Sequence, residues 1–363
     1  MRLHAASRDM PLRRPFVISA GAQQVATNAF VLLEDEGGLW GLGEGAPSPR
    51  VTGSSIEDVI SFISQRARAL GPVRAGDALG IASELGRSVL EGSVGWGPGP
   101  AALDLALLDI AGRARGLTAR ELLGLPLEGS RPTSITVSLG DLESMQDEAR
   151  AHLHEGFEVL KVKLGADPIG CRRVLKGLRD VAPRATIRVD ANEAWSPAVA
   201  RTMLPLLDRY EVELCEQPLR RDMHDALGEL TRTSPVPIVA DEMVRSAADV
   251  ELIGRDHLAH GINIKLQKVG GLTAAARLAV RARELGLKVM VGCFIESGAG
   301  IAAAAQLLGL VDWADLDGHV LLDMNPVPGP PLEMGIVSAP SEAGLGHDAS
   351  EIAARALAGL SGG

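Results

Sequence analysis

Two lysines two positions apart, Lys161 and Lys163 in EVLKVKLG, precede three acidic groups spaced along the chain and then a further lysine. The acids are Asp190 ending RVD, Glu216 ending LCE, and Asp241-Glu242 ending VADE; the later lysine is Lys265 in NIKLQK. Residues two apart on a strand share a face, so Lys161 and Lys163 point the same way. Carboxylates gathered at close range repel one another, and a divalent cation is the simple compensation. Three carboxylate oxygens completed by water or substrate oxygen suit the near-octahedral demand of Mg²⁺, whereas the lack of nearby cysteine or histidine disfavours zinc. Any one of these acids alone could instead cap a helix or pair with a local arginine. The metal reading rests on all three in order, with Glu242 turned elsewhere or supporting from behind.

The elements that position these groups follow from the hydrophobic pattern. Short apolar runs at 134–139, 159–164, 186–190, 213–216, 238–241, 262–266, 288–292 and 313–317 alternate with helical stretches, of which 273–285 is the clearest. Eight such units predict an α/β closed parallel barrel, in which polar residues at strand C-termini meet at a shared mouth. No eighth helix of normal length is visible. Ahead of the barrel lie a hairpin over 27–44, helices near 56–69, 77–90 and from 101, and a shorter helix at 118–123. This gives an α+β unit over 1–125, a catalytic barrel over 126–325, and a Pro/Gly-rich return segment over 326–363 ending in a helix or extended cover.

Strands two and six face each other across an eight-stranded ring. A planar intermediate at its centre presents one side to Lys163 and the other to Lys265. That suits proton removal α to a carboxylate, with Mg²⁺ stabilising an enediolate, one neutral lysine taking the proton and an ammonium returning one, so that the carbon is racemised or epimerised. Clustered cations and burial should depress at least one lysine pKa. The alternative is that the lysines only neutralise the acids. Lys268 falls in the loop before Gly270-Gly271 and receives no base role. Asn192 orients a ligand or a lysine, or simply forms an Asx turn.

Composition limits the partners. The chain has 363 residues, 36 basic against 46 acidic for a net charge of -10, so no broad basic surface is available to nucleic acid. Hydrophobic residues at 46% and charged residues at 23% predict an ordinary folded chain. Cys171, Cys215 and Cys293 are too scattered for a disulfide framework. No secretory h-region or membrane-spanning run is present, so a soluble cytoplasmic protein is expected.

Lys161-Val162-Lys163, Asp190-Ala191-Asn192, Glu216-Gln217-Pro218, Asp241-Glu242 and Lys265 before Gly270-Gly271 together resemble, across nearly the whole chain, the enolase superfamily and its muconate-lactonizing subgroup. The resemblance implies an N-terminal α+β capping domain over a modified TIM barrel, (β/α)₇β, with Mg²⁺ on Asp190, Glu216 and Asp241. Asp315-Leu316-Asp317 on the eighth strand is similar to the acidic pair with which dipeptide epimerases receive a substrate α-ammonium. In that case Lys163 and Lys265 act as acid and base on the α-carbon of the C-terminal residue, and Lys161 neutralises the developing charge. Thr136 resembles a substrate-contacting position or serves the β-core, and Cys293, Phe294 and Glu296 fall in what resembles a substrate-lining loop, where Glu296 either binds through its side chain or organises the loop.

The partner implied is a small dipeptide, and the resemblance also implies a homo-oligomer. Arg13 or Arg14 could grip an acidic substrate side chain or remain on the surface. Specificity for the C-terminal side chain is expected from the capping-domain loop around Phe16 to Gln24 and from the barrel rim; within that loop the stretch from Val17 to Ala22 is small and apolar, which leaves acidic and hydrophobic dipeptides both open. N-acylamino acid racemase or o-succinylbenzoate synthase activity uses the same lysine and metal arrangement, but an N-acyl substrate offers no ammonium to the acidic pair. Muconate cycloisomerisation would set a dianion against two acids, and a non-catalytic metal-stabilised binding protein would show no proton exchange.

Overall fold

The structure is a computed structural model that describes residues 1–19, 21–70, 74–127, 129–347 and 349–360. Its N-terminal part is a three-stranded antiparallel sheet, Arg2–Ile18, Gly21–Glu34 and Trp40–Gly45, backed by helices Ile56–Leu70, Ala78–Leu90 and Pro98–Arg115. The first strand is absent from the sequence reading. Its charged residues and Pro11 disguise it, and both are tolerated because it is an edge strand whose register shifts between Pro11 and Phe16.

The third strand shows why so many glycines are needed. Gly41, Gly43 and Gly45 fall on one face, and helix Pro98–Arg115 packs directly on it; a Cβ at Gly43 would lie 2.0 Å from the carbonyl oxygen of Ala102. That helix is buried along nearly its whole length, so its two acids must be satisfied internally. Asp104 accepts from the Thr273 N–H at 3.0 Å. Asp109 accepts from Leu42 N–H and Leu345 N–H at 2.9 Å each and pairs with His347 at 3.1 Å. Despite burial, His347 and Arg113 hold the Asp109 carboxyl down to about 2. One side chain thus ties the sheet, the helix and the C-terminal segment together.

Eight parallel strands follow: Ser134–Val137, Val159–Lys163, Thr186–Asp190, Val212–Glu216, Ile238–Ala240, Gly261–Lys265, Lys288–Gly292 and Trp313–Asp315, hydrogen-bonded in that order. A parallel bridge between Thr133 and Ala314 brings the last strand back to the first. After the eighth strand no barrel helix forms among the described residues. The chain instead makes strands Leu332–Glu333 and Ile336–Ser338, then helix Glu351–Leu357. Leu322 and Leu357 pack with Met10, Phe30 and Leu42 of the N-terminal sheet in a second apolar core. No helix among the described residues is long and apolar enough to cross a membrane.

Candidate active site

Register sets the mouth of the barrel. Thr136 pairs with Lys161, Lys163 with Asp190, Asp190 with Glu216, and Gly292 with both Lys265 and Asp315. These side chains therefore leave their strands at neighbouring levels. Asp241 directly follows the fifth strand, and Asp317 lies two residues past the end of the eighth.

The groups are almost wholly buried and interlocked. Lys161 Nζ reaches Asp315 Oδ2 at 2.7 Å, Glu216 Oε2 at 2.8 Å and Asp190 Oδ2 at 3.2 Å. Lys163 Nζ donates to Asp190 Oδ2 at 2.7 Å and Lys265 Nζ to Asp241 Oδ2 at 2.8 Å. Asn192, held at φ 44°, donates through Nδ2 to Asp190 Oδ2 and Glu242 Oε1, both at 3.2 Å. Ser134 Oγ donates to Asp315 at 2.6 Å, and the Thr136 N–H donates to Asp317 Oδ2 at 2.8 Å.

Ionisation follows from these partners. Burial alone would lower the Lys161 pKa, but Asp315, Glu216 and Asp190 hold it well above its ordinary value. Lys265 is likewise raised against burial by Asp241. The expectation that clustered cations and burial would depress at least one lysine pKa is not met at Lys161 or Lys265, where carboxylates dominate; the lowered lysine of the cluster is Lys268. Burial, only partly offset by Lys161, pushes Glu216 up to about 8. Burial together with Asp241 and Asp190 pushes Glu242 up to about 7. Asp317 is raised by burial and by its neighbour Asp315.

This donor set fits a divalent cation. Glu216 Oε2, although close to Lys161 Nζ, has no hydrogen bond of sound geometry, and Glu242 Oε2 and Asn263 Oδ1 are also buried without a hydrogen-bond partner. Buried, underused oxygen atoms beside three carboxylates are what a hard cation satisfies. Among the described residues, no three acidic, histidine or cysteine groups converge as a ready-made cage. Lys161 instead bridges Asp190 and Glu216, while Lys265 and Lys268 draw Asp241 aside.

A cavity of about 350 Å³ opens above the cluster. Thr136, Lys161, Lys163, Asn192, Asp241, Lys265, Cys293, Phe294, Asp315 and Asp317 all line it, with residues of the N-terminal sheet as a roof. Asp190 and Glu216 lie beneath. Phe16 and Phe294 flank the lysine pair, the ring centroids 5.6 Å from Lys163 Nζ and 5.2 Å from Lys265 Nζ. Cys293 Sγ contacts the Asp315 carbonyl at 3.3 Å.

Of the two roles open to Glu296, substrate binding or organisation of the loop, its contacts match the second, and it does not line the cavity. It turns inward, accepting from the Phe294 N–H at 2.9 Å and Gln267 Nε2 at 2.8 Å, because the chain at Ser297 bends into helix Gly298–Ala305. Lys268 was missed as a member of the cluster. Helix Leu266–Val269 carries it back against the C-terminal ends of the fifth and sixth strands, where Nζ donates to Asp241 Oδ1 and O at 2.5 Å and to Asn263 O at 2.9 Å. Burial, outweighing Asp241, lowers its pKa. Its spacing of three from Lys265 is the available sequence signal. Arg50, also missed, reaches from the N-terminal part to Glu242 at 3.1 Å and Glu193 at 3.6 Å.

Comparison with known proteins adds lineage to this geometry. Residues 2–124 match the family profile "Mandelate racemase / muconate lactonizing enzyme, N-terminal domain", and residues 144–353 match "Enolase C-terminal domain-like". The chain is 33% identical over 343 residues to the hydrophobic dipeptide epimerase of Roseobacter litoralis, covering 92% of this chain and 95% of that protein. It is 34% identical over 322 residues to the L-Ala-D/L-Glu epimerase of Escherichia coli, covering 88% and 93%. It superposes with a TM-score of 0.88 at 32% identity, over 95% of this chain and 98% of the other, on a dipeptide epimerase from Methylococcus capsulatus complexed with Mg and L-Arg-D-Lys. The chain belongs to the enolase superfamily, in its mandelate racemase and muconate lactonizing subgroup.

Proposed function

We propose that this protein is an Mg²⁺-dependent dipeptide epimerase that inverts the α-carbon of the substrate's C-terminal residue. The observation that carries the reading is the placement of Lys163 and Lys265, on barrel strands two and six, at opposite sides of one cavity whose eighth-strand rim holds Asp315 and Asp317. The relatives' own activities and ligands support the substrate class.

Asp190, Glu216 and Asp241 are the proposed Mg²⁺ ligands. Bound there, Mg²⁺ supplies positive charge beside the substrate carboxylate and takes over the neutralisation of those acids. Lys163 Nζ takes or returns the α-proton on one side of the carbon and Lys265 Nζ does so on the other, so that removal and return on opposite sides invert the centre. Lys161, fixed as an ammonium by its acidic neighbours, offsets charge developing on the substrate carboxylate. Asp317 receives the substrate ammonium together with Asp315, which is shared with Lys161 and Ser134. Thr136 holds Asp317 through its N–H, Asn192 holds Asp190, and Cys293 and Phe294 wall the site.

The proposal keeps 1–125 as a capping unit, 126–325 as the barrel and 326–363 as a return segment, supported by the composition break at 126–132. It extends to a cytoplasmic homo-oligomer. The three free cysteines support the compartment, and light scattering of the purified protein checks the assembly. Incubation of a dipeptide panel with Mg²⁺ in D₂O tests the activity. Deuterium should enter the C-terminal α-carbon with inversion; exchange confined to N-acyl amino acids, or none at all from metal-loaded folded protein, contradicts it.

A further inference from the structure

The relatives handle apolar, acidic and basic dipeptides, so kinship leaves the side-chain class open, whereas the cavity does not. With the reacting carbon between the two lysines, its carboxylate directed to the acidic trio and the peptide nitrogen to the eighth strand, the side chain has one direction left. That direction faces the roof formed by Phe16, Ile18 and Ala22, beside Phe294 and Leu321. Phe16 and Ile18, two apart on one strand, share a face, and between them the Val17 carbonyl is pinned to the barrel by the Leu139 N–H at 3.0 Å.

This roof carries no charge that could meet a charged side chain. From Pro15 through Leu33 the sequence contains no Lys, Arg, His, Asp or Glu, and no Lys, Arg or His occurs until Arg50. Arg13 and Arg14 are exposed and do not line the cavity, and Arg13 Nε is spent on the Leu322 carbonyl at 2.9 Å. Arg50 does line it, but its guanidinium already faces Glu242 and Glu193. The remaining cations are the three lysines of the reaction and Lys268 beneath them. A substrate carboxylate in the side-chain position would be desolvated with no free cation opposite it, and an ammonium there would face phenylalanine, isoleucine and alanine, the sheet's further polar lining being the neutral Gln23 and Asn28.

We infer that the enzyme is selective for dipeptides whose C-terminal side chain is apolar, with Phe16 and Ile18 as the specificity-determining residues. This rests on the epimerase reading and sharpens it. An uncompensated buried charge corresponds to ~100-fold or more in kcat/KM.

The test measures α-proton exchange of L-Ala-L-Leu, L-Ala-L-Ala, L-Ala-L-Glu and L-Ala-L-Lys with the full-length, Mg²⁺-loaded enzyme. The leucine substrate should exceed both charged ones by ~100-fold in kcat/KM. Ile18→Arg should move the glutamate-to-leucine ratio by a similar factor toward glutamate. Ile18→Ala, which only removes volume, should lower the leucine substrate about tenfold and leave L-Ala-L-Ala within about threefold. Exchange of L-Ala-L-Glu or L-Ala-L-Lys at or above the leucine rate overturns the inference while leaving the epimerase reading intact. Equal losses on leucine and alanine substrates in Ile18→Ala also overturn it. Exchange of none of the four removes the epimerase reading and the inference with it.

Discussion

Two groups of buried acids, one at the barrel mouth and one where the barrel meets the N-terminal sheet, are compensated in different ways. At the strand ends, Asp190, Glu216, Asp241 and Asp315 are met by ammonium groups of Lys161, Lys163, Lys265 and Lys268. At the junction with the N-terminal sheet, Glu44 and Glu296 are met by amides and hydroxyls. Glu44 accepts from Ser297 N–H and Oγ, Gly300 N–H and Asn28 Nδ2, and Glu296 accepts from Phe294 N–H and Gln267 Nε2. An ammonium can give up and take back a proton, whereas a backbone amide only donates a hydrogen bond. The first arrangement can do chemistry, and the second can only hold two parts of the chain together. Burial and Glu44 nearby push Glu296 up to about 8, and the hydrogen bonds from Phe294 and Gln267 and the charge of Lys265 offset this only in part.

The largest effect that could break this contrast lies with the lysines. Lys163→Met or Lys265→Met should lower epimerisation by ~10³-fold or more while a thermal melt still shows a cooperative transition. A loss below tenfold in either variant would return that lysine to the role of a mere counterion. Metal should matter next. Saturating Mg²⁺ at about 100 times its Kd should stabilise the wild type by roughly 2.7 kcal/mol and leave Glu216→Gln far less affected. Equal thermal shifts in both proteins would separate Glu216 from the metal. Chelation should abolish exchange and leave far-ultraviolet circular dichroism unchanged.

The joint should respond in stability instead. Glu44→Ala leaves several buried donors unmet and should cost roughly 2–4 kcal/mol in denaturant unfolding. The pH dependence of Glu296 is subtler. A carboxyl raised in the folded state keeps its proton where the unfolded chain has lost it, so stability falls as pH rises from about 5 to about 8. Glu296→Gln should flatten that slope whatever its offset at low pH. An unchanged slope would show that Glu296 is ionised, and the contrast between the two acidic groups would then be lost.

Much of the site was legible because a parallel barrel makes a simple demand: each short apolar run must end where polar groups meet. Asp190, Glu216 and Lys265 stand at such ends and could be placed from the runs alone. Residues whose roles come from turns or distant partners were not legible. Lys268 reads as loop beside two glycines, and only the four-residue helix Leu266–Val269 folds it under Asp241. Glu296 follows a lining residue by two, which suggests a shared face, but the turn into helix Gly298–Ala305 reverses it. Glu44 sits among glycines and acquires its partners from Ser297 and Gly300, far along the chain. The edge strand Arg2–Ile18 hides behind exposed charges and a proline, although its far end roofs the cavity.

The most direct test of the account is ¹H NMR in D₂O of each lysine variant with the two stereoisomers of Ala-Leu that differ at the leucine α-carbon. If Lys163 and Lys265 serve opposite sides of that carbon, each variant should wash out the α-proton of one stereoisomer only, without inverting it, and the two variants should choose opposite stereoisomers. The same stereoisomer exchanging in both variants, or both stereoisomers exchanging in either, would contradict it.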